Sequence, residues 1–382
     1  MNTLPSPCFI CEEELLIKNL ELLKDIQEKA DVNILLALKG FALFSTFDIC
    51  KKYLKGCCAS GLHEAKLASE EFGSQVHTYS PAFKDEEFNE IVQISDHIVF
   101  NSFNQLIKFF PKTSSKNSLG LRINPQYSSV EVDIYNPCGI YSRLGITKKE
   151  FEKAIENNEE ILKPIEGFHF HALCEQNVDA LQGVLEKFEE NFSSYFSQLK
   201  WVNFGGGHHI TREDYDVDGL IKLLKKFKSK YPHLEIYLEP GEAIGWQTGY
   251  LEATVLDIVH NEMNIAILDT SAEAHMPDTL AMPYTPQVRD ATIINQKSYT
   301  TKNHYRLAGN TCLAGDIIGD YSFEKKLNIG DKIILEDMIH YTMVKTTTFN
   351  GINLPAIVIK KLDGTYKIIK EFSYEDYKNR LS

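Results

Sequence analysis

The sequence predicts an α/β protein with a parallel (β/α)8 barrel of the TIM type, followed by an antiparallel β domain of the sandwich or barrel type. Up to about residue 245, eight short apolar runs alternate with amphipathic segments of helical length, as expected when crossover helices join parallel strands. After about residue 248, short runs of β-branched residues alternate with turn residues, which is typical of antiparallel strands. Eight strands favour closure into a barrel, although a doubly wound open sheet is the competing arrangement.

The barrel domain is expected to span residues 12–247, beginning with a helix at 12–30. Its strands are predicted at 33–39, 56–60, 75–81, 97–102, 119–125, 167–171, 201–207 and 235–242. The second domain is expected to comprise residues 248–382, together with residues 1–11, because 6–11 has the pattern of one more strand. Its other strands are predicted at 251–258, 265–268, 332–335, 341–345, 356–360 and 366–369, and a helix is predicted at 374–380.

Composition argues against several classes of protein. Hydrophobic residues make up 43% of the 382 residues, which is enough for a packed core. The net charge of −13, without a long basic run, disfavours a nucleic-acid partner. No apolar stretch reaches the roughly 20 residues of a membrane span, and the first residues lack the pattern of a signal peptide. The eight cysteines are scattered without a second metal-ligand pair, so we expect reduced thiols, no metal and a cytoplasmic protein.

Chemically suggestive residues lie where four of the barrel strands are predicted to end, the place where barrel enzymes carry their active sites. Lys39 ends the first strand, His171 the sixth, the triplet 205–207 (Gly-Gly-Gly) the seventh, and Glu239 the eighth. Each has an ordinary explanation: a solvated lysine or carboxylate, a structural histidine or a tight turn. Those explanations do not predict that all four groups share one end of the barrel.

Together, these residues fit the chemistry of pyridoxal phosphate. Burial lowers the pKa of a lysine, and the neutral amine of Lys39 can then form a Schiff base with an aldehyde. Successive glycines can present backbone N–H groups to a phosphate. A carboxylate such as Glu239 can keep a pyridine nitrogen protonated, so that the ring accepts electrons from a broken bond to the substrate α-carbon. The imidazole of His171 can lie flat against that ring.

Six separated segments resemble the fold-type III pyridoxal-phosphate decarboxylases, a family that includes the ornithine, diaminopimelate and arginine decarboxylases. The segments are NILLALKG, GFHFH, NFGGG, LEPGE, GNTCLAGD and IHYTMVKTTTFNG. They occur in the expected order over nearly the whole chain. Two further stretches, NPCGIYSRLGI and AHMPDTLAMPYTP, resemble the branch of the family that acts on carboxylated polyamines.

The resemblance implies how this chain binds its cofactor. Lys39 would attach pyridoxal phosphate, His171 would stack on the pyridine ring, and Glu239 would pair with the ring nitrogen. The phosphate would be held by Gly206, Gly207 and Tyr341.

The resemblance also implies two roles outside that set. Cys312 would come from the neighbouring subunit of a homodimer with shared active sites, and would protonate the α-carbon after CO2 leaves. Arg143 would support the cofactor, and the alternative for Arg143 is a plain surface salt bridge.

Two positions depart from the family pattern in a way that favours a substrate with extra amines. Glu242 stands where ornithine and diaminopimelate decarboxylases usually have an arginine, after the Glu-Pro-Gly motif. Leu313 stands where those relatives usually have an acidic residue that recognises the distal end of the substrate. Other carboxylates must then bind the amines of the substrate tail, and we take Glu242, Asp278 and Asp316 as candidates.

The resemblance implies decarboxylation of carboxynorspermidine, carboxyspermidine or both, in polyamine biosynthesis. One methylene separates the two substrates, so the sequence does not choose between them. A decarboxylase of another basic amino acid, such as diaminopimelate or ornithine, is the main alternative, but the missing arginine disfavours a distal carboxylate. A racemase is disfavoured by the Cys312 motif. A non-catalytic homologue is disfavoured because Lys39, His171, Glu239 and Cys312 are all retained.

Overall fold

The computed structural model describes residues 4–130, 132–294 and 303–382. The chain divides into two compact units. The barrel unit comprises Asn19–Ile244, and the sheet unit comprises Met1–Lys18 together with Gly245–Ser382. The sheet unit therefore contains both ends of the chain.

The barrel unit is a closed ring of eight parallel strands in chain order. The chain starts with strand β1 (Cys8–Glu12) and helix α1 (Glu13–Ala30). The barrel strands are β2 (Asn33–Ala37), β3 (Gly56–Ala59), β4 (Gln75–Tyr79), β5 (His97–Phe100), β6 (Ser118–Arg122), β7 (Gly167–His169), β8 (Trp201–Asn203) and β9 (Glu235–Leu238). The ring closes where β9 pairs with β2.

Helices separate the barrel strands, as a parallel sheet requires. They are α2 (Phe47–Cys50), α3 (Leu62–Leu67), α4 (Asp85–Ile94), α5 (Phe103–Phe109), α6 (Lys148–Asn157), α7 (Val178–Phe192) and α8 (Val217–Lys230), and the short helix α9 (Glu242–Gly245) follows the last barrel strand. Each longer helix buries one apolar face; in α7 this face includes Leu181, Leu185 and Phe188. Inside the barrel, a Cβ on Gly167 would lie 2.0 Å from the ring of Trp201, so only glycine fits beside that indole.

Among its described residues, the sheet unit contains a sheet of nine strands. Besides β1 they are β10 (Gly249–Asn261), β11 (Met263–Leu268), β12 (Ala291–Ile293), β13 (His304–Ala308), β14 (Ile317–Phe323), β15 (Lys332–Glu336), β16 (Ala356–Lys360) and β17 (Tyr366–Lys370). Its helices are α10 (Ala272–His275), α11 (Asp278–Ala281), α12 (Tyr341–Val344) and α13 (Tyr374–Leu381). Strand β1 lies between β10 and β16, so Cys8–Glu12 is an interior strand of this sheet.

The predicted fold class is confirmed, with three corrections. The sheet is mixed, because β1 runs parallel to β16 and β11 runs parallel to β13. The strand predicted at 341–345 is the helical turn α12. The barrel strands begin close to where they were predicted but end one to four residues earlier, so Lys39 lies in the turn after β2. Across the described residues, the helices are too short or too polar to cross a bilayer.

Candidate active site

Lys39 lies in a tight turn at the end of β2. The backbone N–H groups of Gly40 and Phe41 both donate to the carbonyl of Ala37, which ends the strand and starts the turn. A Cβ on Gly40 would lie 2.9 Å from the backbone of Gly241, so the turn packs against the Glu-Pro-Gly segment after β9. Loss of hydration lowers the pKa of the Lys39 amine, and the positive charge of Arg122 acts in the same direction.

A chain of hydrogen bonds links Lys39 to the glycine triplet. The backbone N–H of Gly206 donates to Nδ1 of His171 at 3.0 Å, and Nζ of Lys39 lies 3.3 Å from Nε2 of the same ring. Burial lowers the pKa of His171 well below its ordinary value. A neutral ring that accepts at Nδ1 carries its proton on Nε2. Nε2–H then donates to Lys39, whose amine must be neutral to accept it.

Glu239 is held by two donors from neighbouring strands. Nδ2 of Asn203 donates to Oε1 at 2.7 Å, and Nε2–H of His169 donates to Oε2 at 3.2 Å. Burial opposes ionisation of Glu239, but His169 and Asn203 outweigh it and hold the pKa of the carboxyl below its ordinary value. Oδ1 of Asn203 in turn accepts the N–H of Gly205 at 2.9 Å. The result is a fixed carboxylate at the end of β9.

The glycine triplet packs tightly against neighbouring backbone. A Cβ on Gly206 would lie 2.1 Å from the carbonyl oxygen of Glu239, and one on Gly207 would lie 2.1 Å from that of Leu173. Gly205 and Gly207 also have positive φ angles of 68° and 90°, which favour glycine. The triplet is therefore required by the loop itself, and the N–H of Gly206 is used to orient His171.

Arg122, rather than Arg143, is the buried arginine of this region. Arg122 ends β6, is only 5% exposed, donates to the carbonyl of His171 at 3.2 Å and lies 4.6 Å above the ring of Tyr79. The side chain of Arg143 is exposed, and its backbone carbonyl accepts a hydrogen bond from Asn101. The structure thus places Arg143 on the surface of the barrel unit.

Glu242 belongs to a polar cluster with His209, Arg212 and Glu175. Arg212 can only donate, so Nδ1 of His209 accepts at 3.2 Å, and the ring then donates from Nε2 to Glu242 at 3.2 Å. Ligand atoms of Glu175, His209 and Glu242 lie within 4.8 Å of one another. With its proton on Nε2, His209 offers no lone pair to a metal there, and the adjacent guanidinium repels a cation from Nδ1. The arrangement therefore orients the Glu242 carboxylate.

In the sheet unit, Cys312 is exposed on a loop that is anchored from both sides. Its backbone N–H donates to Oδ1 of Asn350 at 2.7 Å. Asp316, 2% exposed, accepts five hydrogen bonds, from the backbone N–H groups of Ala272, Glu273 and Thr311 and the hydroxyls of Ser271 and Thr311. These donors occupy both oxygens of Asp316, so the carboxylate organises the loop and is not free to bind substrate.

Asp278 begins the short helix α11 and is 6% exposed. Its Oδ2 accepts the hydroxyls of Tyr284 and Thr342, each at 2.8 Å. Its Oδ1 is buried and has no hydrogen-bond partner within the described ranges. Tyr341, in the first turn of α12, lies beside Lys345, whose Nζ is 5.5 Å from the centre of the tyrosine ring.

Comparisons with known proteins identify the family. Residues 10–339 match the family model described as "Pyridoxal-dependent decarboxylase, C-terminal sheet domain". The chain is 55% identical to carboxynorspermidine/carboxyspermidine decarboxylase of Campylobacter jejuni, over 98% of each chain. The chain belongs to the pyridoxal-dependent decarboxylases. This chain is also 46% identical to carboxyaminopropylagmatine decarboxylase of Synechocystis, over 100% of this chain and 96% of the relative.

Solved structures agree with this assignment. One match is the crystal structure of carboxynorspermidine decarboxylase from Campylobacter jejuni, complexed with norspermidine. It matches this chain with a TM-score of 0.91 and 54% identity, and the match covers 99% of this chain and 100% of the other. Diaminopimelate decarboxylase from Helicobacter pylori matches with a TM-score of 0.80 at 17% identity, over 99% of this chain and 97% of the other, and so shares the fold.

The structure brings together the barrel residues expected from the sequence, and it adds others. Lys39, His171 and Gly206 form one hydrogen-bonded chain, and Glu239 lies on the next strand end. Sequence reasoning missed Asn203, His169 and Arg122. The signals were present: His169 and His171 are two residues apart in the predicted strand 167–171, so they share one of its faces, and Arg122, like Lys39, is a charge that follows an apolar run. Cys312, Asp278, Asp316 and Tyr341 belong to the sheet unit.

Proposed function

We propose that the decarboxylase converts carboxynorspermidine, carboxyspermidine or both to norspermidine or spermidine, with release of CO2. The observation that carries this proposal is the 55% identity, over 98% of each chain, to the Campylobacter jejuni enzyme of that name. The norspermidine complex of the Campylobacter jejuni protein supports the same class of ligand. Family membership also favours decarboxylation over racemisation or a non-catalytic role.

The barrel residues fit pyridoxal phosphate. When bound, this cofactor supplies an electron sink for the pair of electrons left on the α-carbon as CO2 departs. Lys39, whose pKa is lowered by burial, would offer its amine to the aldehyde of the cofactor. His171, which is oriented by Gly206, would lie against the ring, and Glu239, which is held by His169 and Asn203, would accept a hydrogen bond from a protonated ring nitrogen. We assign its phosphate to Gly207 and Tyr341, because the N–H of Gly206 is already donated to His171.

Cys312 is proposed to return a proton to the α-carbon, from the neighbouring subunit of a homodimer. The support is that Cys312 is exposed on its own chain yet held in a fixed loop by Asn350 and Asp316. Mixing Lys39→Ala and Cys312→Ala subunits tests this, since a mixed dimer carries one intact site. Random pairing should restore about a quarter of wild-type activity; no restoration would exclude shared sites.

The substrate amines are proposed to bind at Glu242 and Asp278. Glu242 is oriented by His209, and Asp278 keeps one buried oxygen without a partner in the part of the chain that the structure describes. Both are carboxylates, which form strong charge-assisted hydrogen bonds with ammonium groups. Asp316 is left out of this proposal because its own unit supplies all its donors.

A second candidate substrate is carboxyaminopropylagmatine, because the Synechocystis relative of that specificity is 46% identical over the whole chain. Its guanidinium end needs the same acidic partners as an ammonium group. A cytoplasmic location is also proposed, since all eight cysteines are free thiols, as is usual in a reducing compartment.

CO2 release from a panel of substrates tests the proposed function. The panel contains carboxynorspermidine, carboxyspermidine, carboxyaminopropylagmatine, ornithine and diaminopimelate. We expect kcat/KM for the carboxylated polyamines to exceed that for ornithine and diaminopimelate by about a hundredfold or more, because ornithine and diaminopimelate bring fewer ammonium groups to the carboxylates of Glu242 and Asp278. Preferential turnover of ornithine or diaminopimelate would refute the proposal.

A further inference from the structure

The carboxylate of Asp278 is held asymmetrically. Oδ2 accepts two hydroxyl groups, Tyr284 Oη and Thr342 Oγ1, each at 2.8 Å. Oδ1 is buried and accepts no hydrogen bond within residues 4–130, 132–294 and 303–382. A carboxylate can only accept, so both hydroxyls donate. Two donors on one oxygen fix the plane of the carboxyl group and leave the other oxygen unpaired.

A buried carboxylate oxygen without a partner is unfavourable, and native structures usually supply it with a donor. Asp278 is not among the described groups of three or more residues that could hold a metal ion. An ammonium group is the donor that matches one negative oxygen, because it brings both charge and an N–H. The proposed substrate carries several such groups.

We propose that Tyr284 and Thr342 are positioning residues, which hold Asp278 so that Oδ1 receives an ammonium group of the amine-rich substrate. This rests on the proposed function and extends it to two residues that do not themselves bind the substrate. Thr342 is fully buried, so its hydroxyl has a fixed direction. Although 41% of Tyr284 is exposed, loss of hydration at its hydroxyl and the charge of Asp278 raise its pKa, so it stays a donor.

Calorimetric titration of the holoenzyme with norspermidine tests the inference without turnover. Tyr284→Phe and Thr342→Val each remove one donor, and we expect each to raise the Kd about tenfold, the usual effect of one hydrogen bond to a charged group. Thr342→Ser keeps the hydroxyl and should restore Kd to within about threefold of wild type. With the carboxylated substrate, KM should rise by a larger factor than kcat falls.

Matched variants separate positioning from general damage. Tyr366→Phe removes the hydroxyl of a tyrosine of similar exposure (44%), and Thr248→Val alters a fully buried threonine of the same unit. Both should bind norspermidine like wild type. In an Asp278→Asn background, Tyr284→Phe should raise the Kd for norspermidine little further, because the effects of two substitutions that act through the same carboxylate are not additive. If Tyr284→Phe does not fold, the Thr342→Val and Thr342→Ser pair makes the comparison.

Different failures have different meanings. Unchanged Kd in Tyr284→Phe and Thr342→Val, with weaker binding in Asp278→Asn, would overturn the positioning role alone. A Thr342→Ser variant as weak as Thr342→Val, or an undiminished Tyr284→Phe effect in the Asp278→Asn background, would also overturn it. A wild-type holoenzyme that neither binds norspermidine nor decarboxylates its carboxylated precursor would overturn the proposed function, and this inference with it.

Discussion

Nζ of Lys39 lies 3.3 Å from Nε2 of His171, while Nδ1 of that ring accepts the backbone N–H of Gly206. The direction of a backbone N–H cannot be reversed, so it determines the tautomer of the histidine and, through it, the protonation state of the lysine. The lowered pKa of Lys39 has the same consequence. The hydrogen-bond geometry and the burial of Lys39 therefore both favour the uncharged, nucleophilic form of its amine.

Lys39→Ala removes this amine. We expect loss of the visible absorption that the wild-type protein shows with pyridoxal phosphate, and a fall in turnover on the order of a thousandfold or more. Spectra and CO2 release measure the two effects. Lys187→Ala, which changes a surface lysine paired with Glu190, should alter neither, and a Lys39→Ala protein that kept both properties would exclude Lys39 as the attachment site.

Glu239→Gln keeps the shape of the side chain but removes its charge. A neutral amide cannot hold a proton on the ring nitrogen of the cofactor, so we expect kcat to fall about a hundredfold while the cofactor stays bound. Glu235→Gln is the matched control, because Glu235 is the exposed first residue of β9, the strand that Glu239 follows. Wild-type kcat in Glu239→Gln would mean that the ring is not activated there.

The sequence predicted where the barrel strands begin but not where they end. Lys39 follows an unbroken apolar run, so nothing in residue type marks the end of β2 at Ala37; hydrogen bonds from Gly40 and Phe41 to Ala37 do. The strand predicted at 341–345 is wrong because residue type did not show the contacts of this segment. Thr342 has a high β propensity, but its hydroxyl donates to Asp278, which is far away in sequence. The same limit applies to Asp316: its charge suggested substrate binding, and only tertiary contacts show that five donors of its own unit occupy it.

Buried histidines inside the barrel should make the fold sensitive to acid. His77 and His97 stack with ring centres 3.8 Å apart. Burial lowers the pKa of His97 to about 4, against the weaker pull of acidic neighbours, and lowers that of His77. Below a pH of about 6.5, these histidines bind protons in the unfolded chain but stay neutral in the folded chain. The free energy of unfolding therefore falls as the pH is lowered, until the pH reaches the pKa of the histidine in the folded chain.

Urea unfolding measures this loss of stability. His97 alone should cost about 2 kcal/mol between about pH 7.5 and about pH 5. His97→Phe should reduce the pH dependence, because its ring does not titrate, whereas His63→Gln at an exposed position should not. Equal pH dependence in His97→Phe and wild type would show that His97 is not responsible.

Glu242→Gln should weaken binding of the substrate amines. Nε2 of His209 lies 3.2 Å from the carboxylate of Glu242. The substitution removes the negative charge of Glu242, so a substrate amine can still donate a hydrogen bond to the amide oxygen but loses the ionic attraction. We expect KM for carboxynorspermidine to rise about tenfold. The control Glu213→Gln, at an exposed position of the barrel unit, should keep the wild-type KM. An unchanged KM in Glu242→Gln would remove Glu242 from the substrate site.

Asp316→Asn should act on stability rather than on substrate affinity. An asparagine turns an amide NH2 toward donors that need an acceptor, either Ser271 and Thr311 or the N–H groups of Ala272 and Glu273. Such a change leaves buried donors unpaired and should cost about 2–4 kcal/mol of unfolding free energy. The Cys312 loop should loosen with it and lower kcat, while the Kd for norspermidine stays near that of wild type. The control Asp290→Asn, at an exposed position of the same unit, should change neither the unfolding free energy nor kcat. If Asp316→Asn kept the wild-type melting temperature but bound norspermidine more weakly, Asp316 would belong to the substrate site after all.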